Sequence, residues 1–313
     1  MTNSTIGVDI SKDHLDVHCL PSQRASRFKN NDEGFKSLIQ WLETETFERI
    51  VFEASGPYHR AFERSMAKAF GAVLCKVNPK QARRFAEALG THAKTDPIDA
   101  QMLARFGQVL HPKPGPLPSE ILEQMRELLQ ARIALIKHRT ATKNRLQQAT
   151  LELLKCQAQS SLQHIEAQIL AIDEQLKALC RQDHALQKRF QILTSIPGIG
   201  DKTAFILICN MPELGQLTAS QAASLTGLAP FTRQSGKWQG KSQIRGGRRL
   251  VRQAIYMPAL VAARSNPDLE VLYTRLVKAG KPAKVALTAV MRKLIVLANA
   301  LLRDQRIWAN NAP

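Results

Sequence analysis

Residues 4–20 read STIGVDISKDHLDVHCL, two short apolar runs separated by a polar turn at residues 11–14. A connection of this length cannot hold a crossover helix, so the two runs are predicted to pair as antiparallel strands. Residues 25–30 can add a third antiparallel strand to this hairpin. The chain is therefore predicted to begin with a three-stranded meander.

After residue 30 the predicted elements alternate between helix and strand. A helical pattern capped by Asp32 is followed by a buried strand at residues 49–54, RIVFEA. The remaining elements are a strand at residues 72–77 and helices at residues 58–70, 79–89 and 95–110. A meander followed by alternating helices and strands is the element order of an α/β, RNase H-like domain. We assign this domain to residues 1–110.

Positive charge is concentrated in the C-terminal third of the chain. The 44 Lys and Arg residues exceed the 26 Asp and Glu residues, which gives a net charge of +18. Residues 1–100 carry 14 basic and 13 acidic groups, whereas residues 201–313 carry 17 and 5. A cationic surface of this kind most often meets nucleic acid or an acidic membrane. The low aromatic content, 5%, argues against recognition built mainly on base stacking.

Several classes of protein do not fit the sequence. The N-terminal residues show no basic segment followed by an apolar one, so no secretory signal is expected. The most apolar long segment, residues 283–302, is interrupted by Arg292 and Lys293, which argues against a membrane span. The five cysteines are widely separated and form no zinc-ligand pattern, as is typical of reduced thiols. We expect a cytoplasmic protein with no membrane partner.

The middle of the chain differs in character from both ends. Residues 111–118, HPKPGPLP, cannot form a helix or a central strand and are predicted to be a linker. Residues 119–190 contain no Pro or Gly, and their apolar residues recur at three- and four-residue spacing. This pattern predicts an antiparallel helical hairpin or a coiled coil. Its simplest role is that of a spacer or a dimer arm.

Residues 191–313 are predicted to form a basic, mostly α-helical domain. The segment SIPGIGDKT at residues 195–203 joins two helices through a glycine hairpin, as helix-hairpin-helix modules do when they present backbone N–H groups to a DNA phosphate. The two glycines could equally mark a tight turn.

Residues 227–247 are a basic, glycine-containing loop. A run of charge is usually only a solvated face, but glycines within it indicate a loop that can admit a phosphate. The candidate nucleic-acid-binding residues of the two segments are Gly198, Gly200, Lys202, Arg233, Lys237, Lys241, Arg245, Arg248, Arg249 and Arg252.

Four carboxylates stand where an RNase H-like fold would bring them together. Asp9 lies inside the first apolar strand, Glu53 ends RIVFEA, and Asp96 and Asp99 share one face at a helix start. Hard oxygen ligands from separate elements suit Mg²⁺. Two such ions about 4 Å apart could hold the attacking and leaving oxygens of a phosphodiester.

Each acid also has an ordinary structural explanation. Asp96-Pro97-Ile98-Asp99 is a good helix start, with Asp at the N-cap and at N3. Glu53 could belong to the turn at Ser55-Gly56-Pro57. Asp9 could begin the phosphate loop of an actin-like ATPase, although no second glycine-rich phosphate loop follows. Only the metal interpretation accounts for all of them together.

The sequence resembles the DEDD-type insertion-sequence transposases, the IS110 family, which includes the Piv-type DNA invertases. The resemblance covers about residues 6–303 and is carried by IGVDISKDHLDV, FEASGPY, KTDPIDAQMLA, SIPGIGDKT, GLAP and the Ser235-Gly236 loop before RQAIYMPA. It implies a RuvC-like, RNase H-fold domain in which Asp9, Glu53, Asp96 and Asp99 bind Mg²⁺.

The resemblance also implies a serine nucleophile in the C-terminal domain, which maps onto Ser235. The family's usual Ser-Lys-Arg-Gly after the loop isoleucine is replaced here by Arg-Gly-Gly-Arg at residues 245–248, so Ser242 remains a second candidate. Double-stranded DNA is the implied substrate, the implied assembly is a homodimer or homotetramer, and a structured guide RNA is a candidate partner because many members of the family use one.

We interpret the chain as a site-specific DNA recombinase, a transposase or an invertase, whose acids and Ser235 form one composite site across domains or subunits. A serine hydroxyl needs a base or a metal to become a good nucleophile. One alternative is a RuvC-like structure-specific nuclease that uses the same acids for hydrolysis. The other is a non-catalytic nucleic-acid-binding protein with a helix-hairpin-helix module.

Overall fold

A computed structural model describes residues 4–54, 56, 58–90, 96–115, 119–232, 234–235, 238–240 and 242–309. The chain divides into two compact units, Met1–Ser119 and Glu120–Pro313.

The N-terminal unit is an α/β domain whose elements follow the predicted order. Its strands are β1 (Ser4–Ile10), β2 (His14–Leu20), β3 (Ala25–Lys29), β4 (Phe47–Glu53) and β5 (Leu74–Val77). Its helices are α1 (Asp32–Leu42), α2 (His59–Phe70), α3 (Pro79–Ala88) and α4 (Asp96–Leu110). The predicted cap of α1 was wrong by one residue: the Asn31 side chain, not that of Asp32, accepts the Gly34 N–H.

The five strands form one mixed sheet in the order β3-β2-β1-β4-β5. The first three strands are the predicted antiparallel meander, with Val8 opposite Val17. Strand β4 is parallel to β1, and β5 is parallel to β4. Parallel strands need long crossover connections. Here α1 links β3 to β4 along the chain, and α2 links β4 to β5.

The two faces of the sheet are covered by different helices. Ile6, Val8 and Ile10 belong to a core that also contains Phe35 of α1 and Phe62 of α2. On the other face, Val51 and Cys75 pack with Leu103 and Phe106 of α4. Since neighbouring strand residues point to opposite faces, the alternation in β1 decides which side chains meet α4.

Helix α4 approaches β1 so closely that there is no room for a side chain at Gly7. A Cβ there would collide with backbone atoms of Ala100 and Ala104. A Cβ on Gly107, within α4, would lie 2.6 Å from methyl carbons of Thr5 and Val51. These contacts orient α4 antiparallel to β1, with its N-terminus at the end of β1 that carries Asp9.

The proline-rich segment begins as part of the N-terminal unit. The Gly115 N–H donates to the Leu74 carbonyl at 3.0 Å, and the Cys75 thiol donates to the Pro112 carbonyl at 3.1 Å. Residues 111–115 are therefore fastened alongside β5. The rest of the predicted linker, residues 116–118, lies outside the described residues.

The C-terminal unit is mostly helical. Its helices are α5 (Glu120–Gln148), α6 (Glu152–Gln182), α7 (His184–Thr194), α8 (Asp201–Asn210), α9 (Ala219–Leu225), α10 (Arg249–Ala254), α11 (Tyr256–Ser265), α12 (Pro267–Lys278) and α13 (Ala283–Arg303). Four two-residue strands lie between α9 and α10: β6 (Pro230–Phe231), β7 (Gln234–Ser235), β8 (Trp238–Gln239) and β9 (Gln243–Ile244).

Helices α5 and α6 form the predicted antiparallel hairpin. Arg132 of α5 pairs with Asp173 of α6, with 2.5 Å between Nε and Oδ1. At the base of the hairpin, Met125 and Leu176 belong to the same apolar cluster as the helices that follow residue 190. Apart from Ser119, the helical segment 119–190 and the basic segment 191–313 are thus parts of one compact unit.

Helix α13 is the one helix among the described residues that is long and apolar enough to cross a membrane. Leu294, Ile295, Ala298 and Leu301 of this helix are nevertheless completely buried in the core of the C-terminal unit. Burial on several sides explains its apolar composition without a membrane.

Gly7→Ala is expected to destabilise the N-terminal unit by about 3 kcal/mol, the upper end of the usual cost of overpacking, because the new methyl group meets rigid backbone and cannot rotate away. Gly115→Ala is the matched control, since nothing lies within 4 Å of a Cβ there. Hydrogen exchange of peptides from β1 and α4, followed by mass spectrometry, measures the effect. Equal protection in the two variants would show that α4 does not depend on the contact at Gly7.

Candidate functional site

Asp9 and Glu53 lie at the same edge of the sheet. Asp9 is the residue before the end of β1, and Glu53 is the last residue of β4. These strands are parallel with Val8 beside Phe52, so the two acids come one residue later on each strand. Glu53 also pairs with Val77 of β5, which makes it a strand residue and excludes the interpretation as a turn residue.

Both side chains face α4. Gly7 presents its missing Cβ to α4, and Asp9 lies two residues later on the same face of β1. Val51 packs with α4, and Glu53 lies two residues later on β4. The alternation of the strands therefore directs both acids toward the face that α4 covers.

Helix α4 supplies the other two acids from its first turn. It begins at Asp96, and Asp99 directly precedes Ala100, the residue whose carbonyl abuts Gly7. The close contact at Gly7 therefore places both acids at the edge of the sheet where Asp9 lies. Both carboxylates also lie at the positive N-terminal end of the helix dipole, which stabilises negative charge. A role in capping is therefore compatible with a role in metal binding.

The electrostatics of Asp9 show that the acids interact. Its pKa is raised from 3.8 to about 6, first by burial and then by repulsion from Asp99, Asp96, Glu53 and Asp16. Like charges held near a buried carboxyl disfavour its ionised form. The structure thus brings the predicted acids into one field of negative charge.

The acids are near enough to repel one another, but their side chains are not arranged as the ligands of one metal ion. Within the described ranges, no three His, Cys, Asp or Glu side chains lie close enough to share one metal ion. The donor chemistry nevertheless fits Mg²⁺. Carboxylate oxygens are hard ligands, and a divalent cation bound among them would relieve the repulsion between the carboxylates. Binding would require side chains to turn inward from separate elements.

A neighbouring ion pair was not predicted from the sequence. Asp16 of β2 lies directly opposite Asp9 and is buried. Arg27 of β3 lies opposite Asp16, and its Nε donates to Asp16 Oδ1 at 2.9 Å. The same guanidinium comes within 3.7 Å of Asp96 Oδ2. A charged residue in the apolar run LDVHCL was the signal that could have revealed Asp16.

Side-chain hydrogen bonds fasten the turns beside Asp9 and Glu53. Asn30 donates from Nδ2 to the carbonyl of Ser11 at 2.8 Å and to that of Tyr58 at 3.2 Å. The ring of His59 contacts the Gly56 carbonyl through Nδ1 at 3.0 Å. These bonds tie the segment after β4 to the end of β1, so the two strand ends keep a fixed separation.

The backbone of the serine loop is partly described. Strand β7 pairs with β8, with Ser235 opposite Trp238, and β6 pairs with β9 at the base of the loop. Nothing is described of the Ser235 side chain. Ser242 is exposed and precedes β9. Of the other predicted loop residues, Arg233, Gly236, Lys237 and Lys241 lie outside the described residues.

Three of the predicted phosphate-binding arginines have partners within the protein. The guanidinium of Arg245 lies 4.9 Å from the ring centre of Phe231. That of Arg252 donates to the Gly246 carbonyl at 2.5 Å, and that of Arg248 forms two bonds with Glu213. Arg249, at the start of α10, is exposed.

The two glycines of the predicted hairpin have different surroundings. A Cβ on Gly198, where φ is +98°, would lie 2.5 Å from the Pro258 carbonyl oxygen, so this glycine permits close packing on α11. Gly200 precedes α8, and nothing lies within 4 Å of a Cβ built there. Lys202 is exposed in the first turn of α8. Phosphate binding by this hairpin stays a prediction, and Gly200 and Lys202 are its accessible part.

Two protein-family models match the chain. A model of the DEDD transposases of the IS110 type matches residues 6–154, and a model described as "Transposase IS116/IS110/IS902 family" matches residues 190–274. The first covers all four candidate acids, and the second covers the glycine hairpin and the serine loop.

Individual relatives agree with these matches. The pilin gene-inverting protein of Moraxella bovis is 30% identical over 98% of both chains. A protein of the insertion element IS110 from Streptomyces coelicolor is 32% identical over 52% of this chain and 40% of its own length. A protein of the insertion element IS900 from Mycobacterium paratuberculosis is 29% identical over 57% of this chain and 49% of its own. The chain belongs to the IS110 family of transposases, which are DNA recombination enzymes.

Proposed function

We propose that this protein is a site-specific recombinase that cuts and rejoins double-stranded DNA with a Mg²⁺-binding acidic site and a serine nucleophile. The observation that carries the proposal is the raised pKa of Asp9, which is caused first by burial and then by repulsion from four other acids on α4, β4 and β2. A strongly perturbed carboxyl group among acids from separate elements is characteristic of a functional site. Membership of a recombinase family favours strand exchange over simple hydrolysis by a structure-specific nuclease.

The N-terminal unit is proposed to be RNase H-like and, more narrowly, RuvC-like. Support comes from the sheet order, with an antiparallel meander followed by two parallel strands, and from α4 lying across the central strand. In this arrangement Asp9, Glu53, Asp96 and Asp99 hold Mg²⁺. When bound, Mg²⁺ would neutralise the acids and polarise the phosphodiester.

The reaction proposed for Ser235 is a transfer of the DNA phosphoryl group. Its Oγ attacks the phosphorus, a Ser235 Oγ–P bond forms, and the scissile P–O bond to deoxyribose breaks. The hydroxyl proton passes to a general base, and the departing deoxyribose oxygen takes up a proton. The phosphoserine diester conserves the bond energy, so a later attack by a deoxyribose hydroxyl rejoins the strand without a high-energy cofactor.

The basic residues of the C-terminal unit are proposed to hold the DNA backbone. Arg249, Gly200 and Lys202 are accessible for this role among the described residues. Arg233, Lys237 and Lys241, which are close to Ser235 in the sequence, are proposed to contact the same backbone. A homodimer or homotetramer and a structured guide RNA are proposed from the family resemblance, and the cytoplasmic location expected from the sequence stays a prediction. Inverted gene segments beside the coding sequence would indicate inversion, and element ends would indicate transposition.

Asp96→Asn and Asp99→Asn are each expected to reduce recombination to background, because an amide is a much weaker Mg²⁺ ligand. The fold should persist, since Asn caps helices as well as Asp does. Asp32→Asn, in the exposed first turn of α1, is the matched control. Recombination assays and calorimetric titration with Mn²⁺ measure the effects. Full activity and unchanged Mn²⁺ binding in both variants would disprove the metal site.

Asp9→Asn is expected to stabilise the chain in EDTA while abolishing recombination. Between pH 4 and pH 6 the folded chain retains a proton on Asp9 that the unfolded chain releases, because its pKa is about 6 when folded and 3.8 otherwise. Folding stability therefore falls as the pH rises through this range and stays lower above it. Asparagine avoids this loss.

The melting temperature of the Asp9→Asn variant should exceed that of the unsubstituted chain by about 2–4 °C at pH 7.5, with no difference at pH 4. Thermal unfolding across this pH range measures it, with Asp13→Asn in the exposed turn as control. A difference that does not vary with pH would contradict the repulsion among the acids.

Ser235→Ala is expected to abolish strand cleavage while leaving DNA binding and the fold unchanged. Ser235→Cys should retain at most a trace of activity, because a soft thiolate suits Mg²⁺ poorly. Mass spectrometry of protein trapped on nicked DNA provides the measurement. A nucleotide on a peptide containing Ser235 supports the assignment, and one on Ser242 moves it. Cleavage without any adduct would favour a metal-only nuclease.

A further inference from the structure

The loop that carries Ser235 is closed at its base by a short strand pair. Pro230 pairs with Ile244 and Phe231 with Gln243, so the loop leaves and returns at one place. The guanidinium of Arg245 covers the exposed ring of Phe231. Two residue pairs hold little by themselves, because isolated hairpins are marginally stable in water. The loop therefore needs a stronger attachment nearby.

Glycines make that attachment possible directly after β9. A Cβ on Gly247 would collide with the backbone nitrogen of Gly227, and one on Gly227 would collide with the Gly246 carbonyl. All three glycines have positive φ, between +64° and +70°. The returning end of the loop therefore lies backbone to backbone on the segment that follows α9.

Arg248 joins this returning end to a separate part of the unit. Its backbone N–H donates to the Leu225 carbonyl at 2.7 Å. Its guanidinium forms a fork with Glu213, with Nη1–Oε2 at 2.7 Å and Nη2–Oε1 at 2.6 Å. The same Nη1 donates to the Asn210 carbonyl at 2.7 Å. Glu213 lies in the segment between α8 and α9.

This geometry is unusually well suited to fixing a position. A bidentate Arg–carboxylate pair combines strength with a defined orientation. Both side chains are about two-thirds buried, with 35% and 32% of their areas exposed, so solvent screens the pair only partly. Burial, the largest single influence, would raise the pKa of Glu213, but hydrogen bonds from Arg248 and the backbone, together with the charges of Arg248 and Arg126, lower it.

We infer that Glu213 and Arg248 form a positioning pair that fixes the returning end of the serine loop and so sets where Ser235 meets the DNA phosphate. The inference rests on the proposed role of Ser235. It also gives Arg248 a role other than the phosphate contact predicted from the sequence, because its guanidinium already binds a carboxylate and a carbonyl. Neither residue touches DNA in this role.

The test compares Glu213→Gln, Arg248→Gln and the double variant in the full-length protein. Each single variant is expected to slow formation of the Ser235 adduct about 100-fold at saturating DNA, as a small misplacement of a reacting group does. The double variant should be no slower than the singles, because both remove one interaction. Glu174→Gln, at an exposed carboxylate 3.2 Å from Lys177 in the same unit, is the matched control.

The salt dependence of DNA binding separates positioning from phosphate contact. Loss of a phosphate contact lowers the slope of log K against log salt by about 1. Arg249→Gln, at the exposed neighbour, is the comparison for such a loss. Arg248→Gln should leave the slope unchanged. A reduced slope in Arg248→Gln, with normal adduct formation in Glu213→Gln, would overturn the inference.

If a neutral variant fails to fold, the pair can instead be tested by exchanging its two charges. Arg248→Glu alone is expected to be inactive, and adding Glu213→Arg should recover adduct formation about tenfold, because the pair is re-formed in reverse. A phosphate contact could not be recovered by placing a carboxylate at position 248. No recovery in a folded double variant would count against the pair.

Hydrogen exchange of the loop amides tests the attachment of the loop independently of whether Ser235 is the nucleophile. Amides of residues 231–232 and 242–247 should lose protection at least tenfold in Glu213→Gln and Arg248→Gln, but not in Glu174→Gln. If the unsubstituted protein forms no Ser235 adduct, the nucleophile assignment fails while loop attachment is still judged by exchange. Unchanged protection in both single variants would disprove the attachment.

Discussion

Helix α4 rests directly on strand β1 because Gly7 has no side chain to hold the two backbones apart. Gly107 repeats this arrangement farther along the helix, where methyl groups of Thr5 and Val51 fill the space. Two glycines thus determine both the distance and the direction of α4. Its N-terminus, with Asp96 and Asp99, consequently meets the edge of the sheet that carries Asp9 and Glu53.

Four acids gathered in this way destabilise one another. The raised pKa of Asp9 records this cost, since burial and like charges both disfavour its ionised form. The fold tolerates it because the acids sit at the ends of well-packed elements rather than in their middle. The Arg27 guanidinium, paired with Asp16, places a positive charge beside the cluster and comes within 3.7 Å of Asp96.

The C-terminal unit holds its loop by a glycine contact and an ion pair. Gly227 and Gly247 allow backbones to touch, as Gly7 does at α4, and an ion pair between separate elements then fixes the orientation. A glycine contact thus sets the separation in both units, but the direction is set by a second glycine contact in the N-terminal unit and by a charged pair in the C-terminal unit. Such contacts suit a chain whose candidate site residues lie near loops and helix ends, where the apolar core gives little restraint.

The order of elements in the N-terminal unit followed from the sequence, because strand alternation and helix periodicity are local properties. The meander, the helical hairpin and the four acids could all be recognised in this way. A local pattern cannot reveal which residues meet across elements. Asp16, Arg27 and Glu213 therefore went unnoticed, and Arg248 was predicted to be a phosphate contact.

Tertiary structure alone decided those partnerships. Asp16 faces Asp9 only because of the register of β1 and β2, and Glu213 meets Arg248 across 35 residues of chain. It also placed the base of the helical hairpin in one core with the C-terminal helices. The sequence by itself determined which elements form and which residue types can bind a cation or a phosphate. Only the packed structure decided which charges neutralise each other, because that depends on distances between segments far apart in the chain.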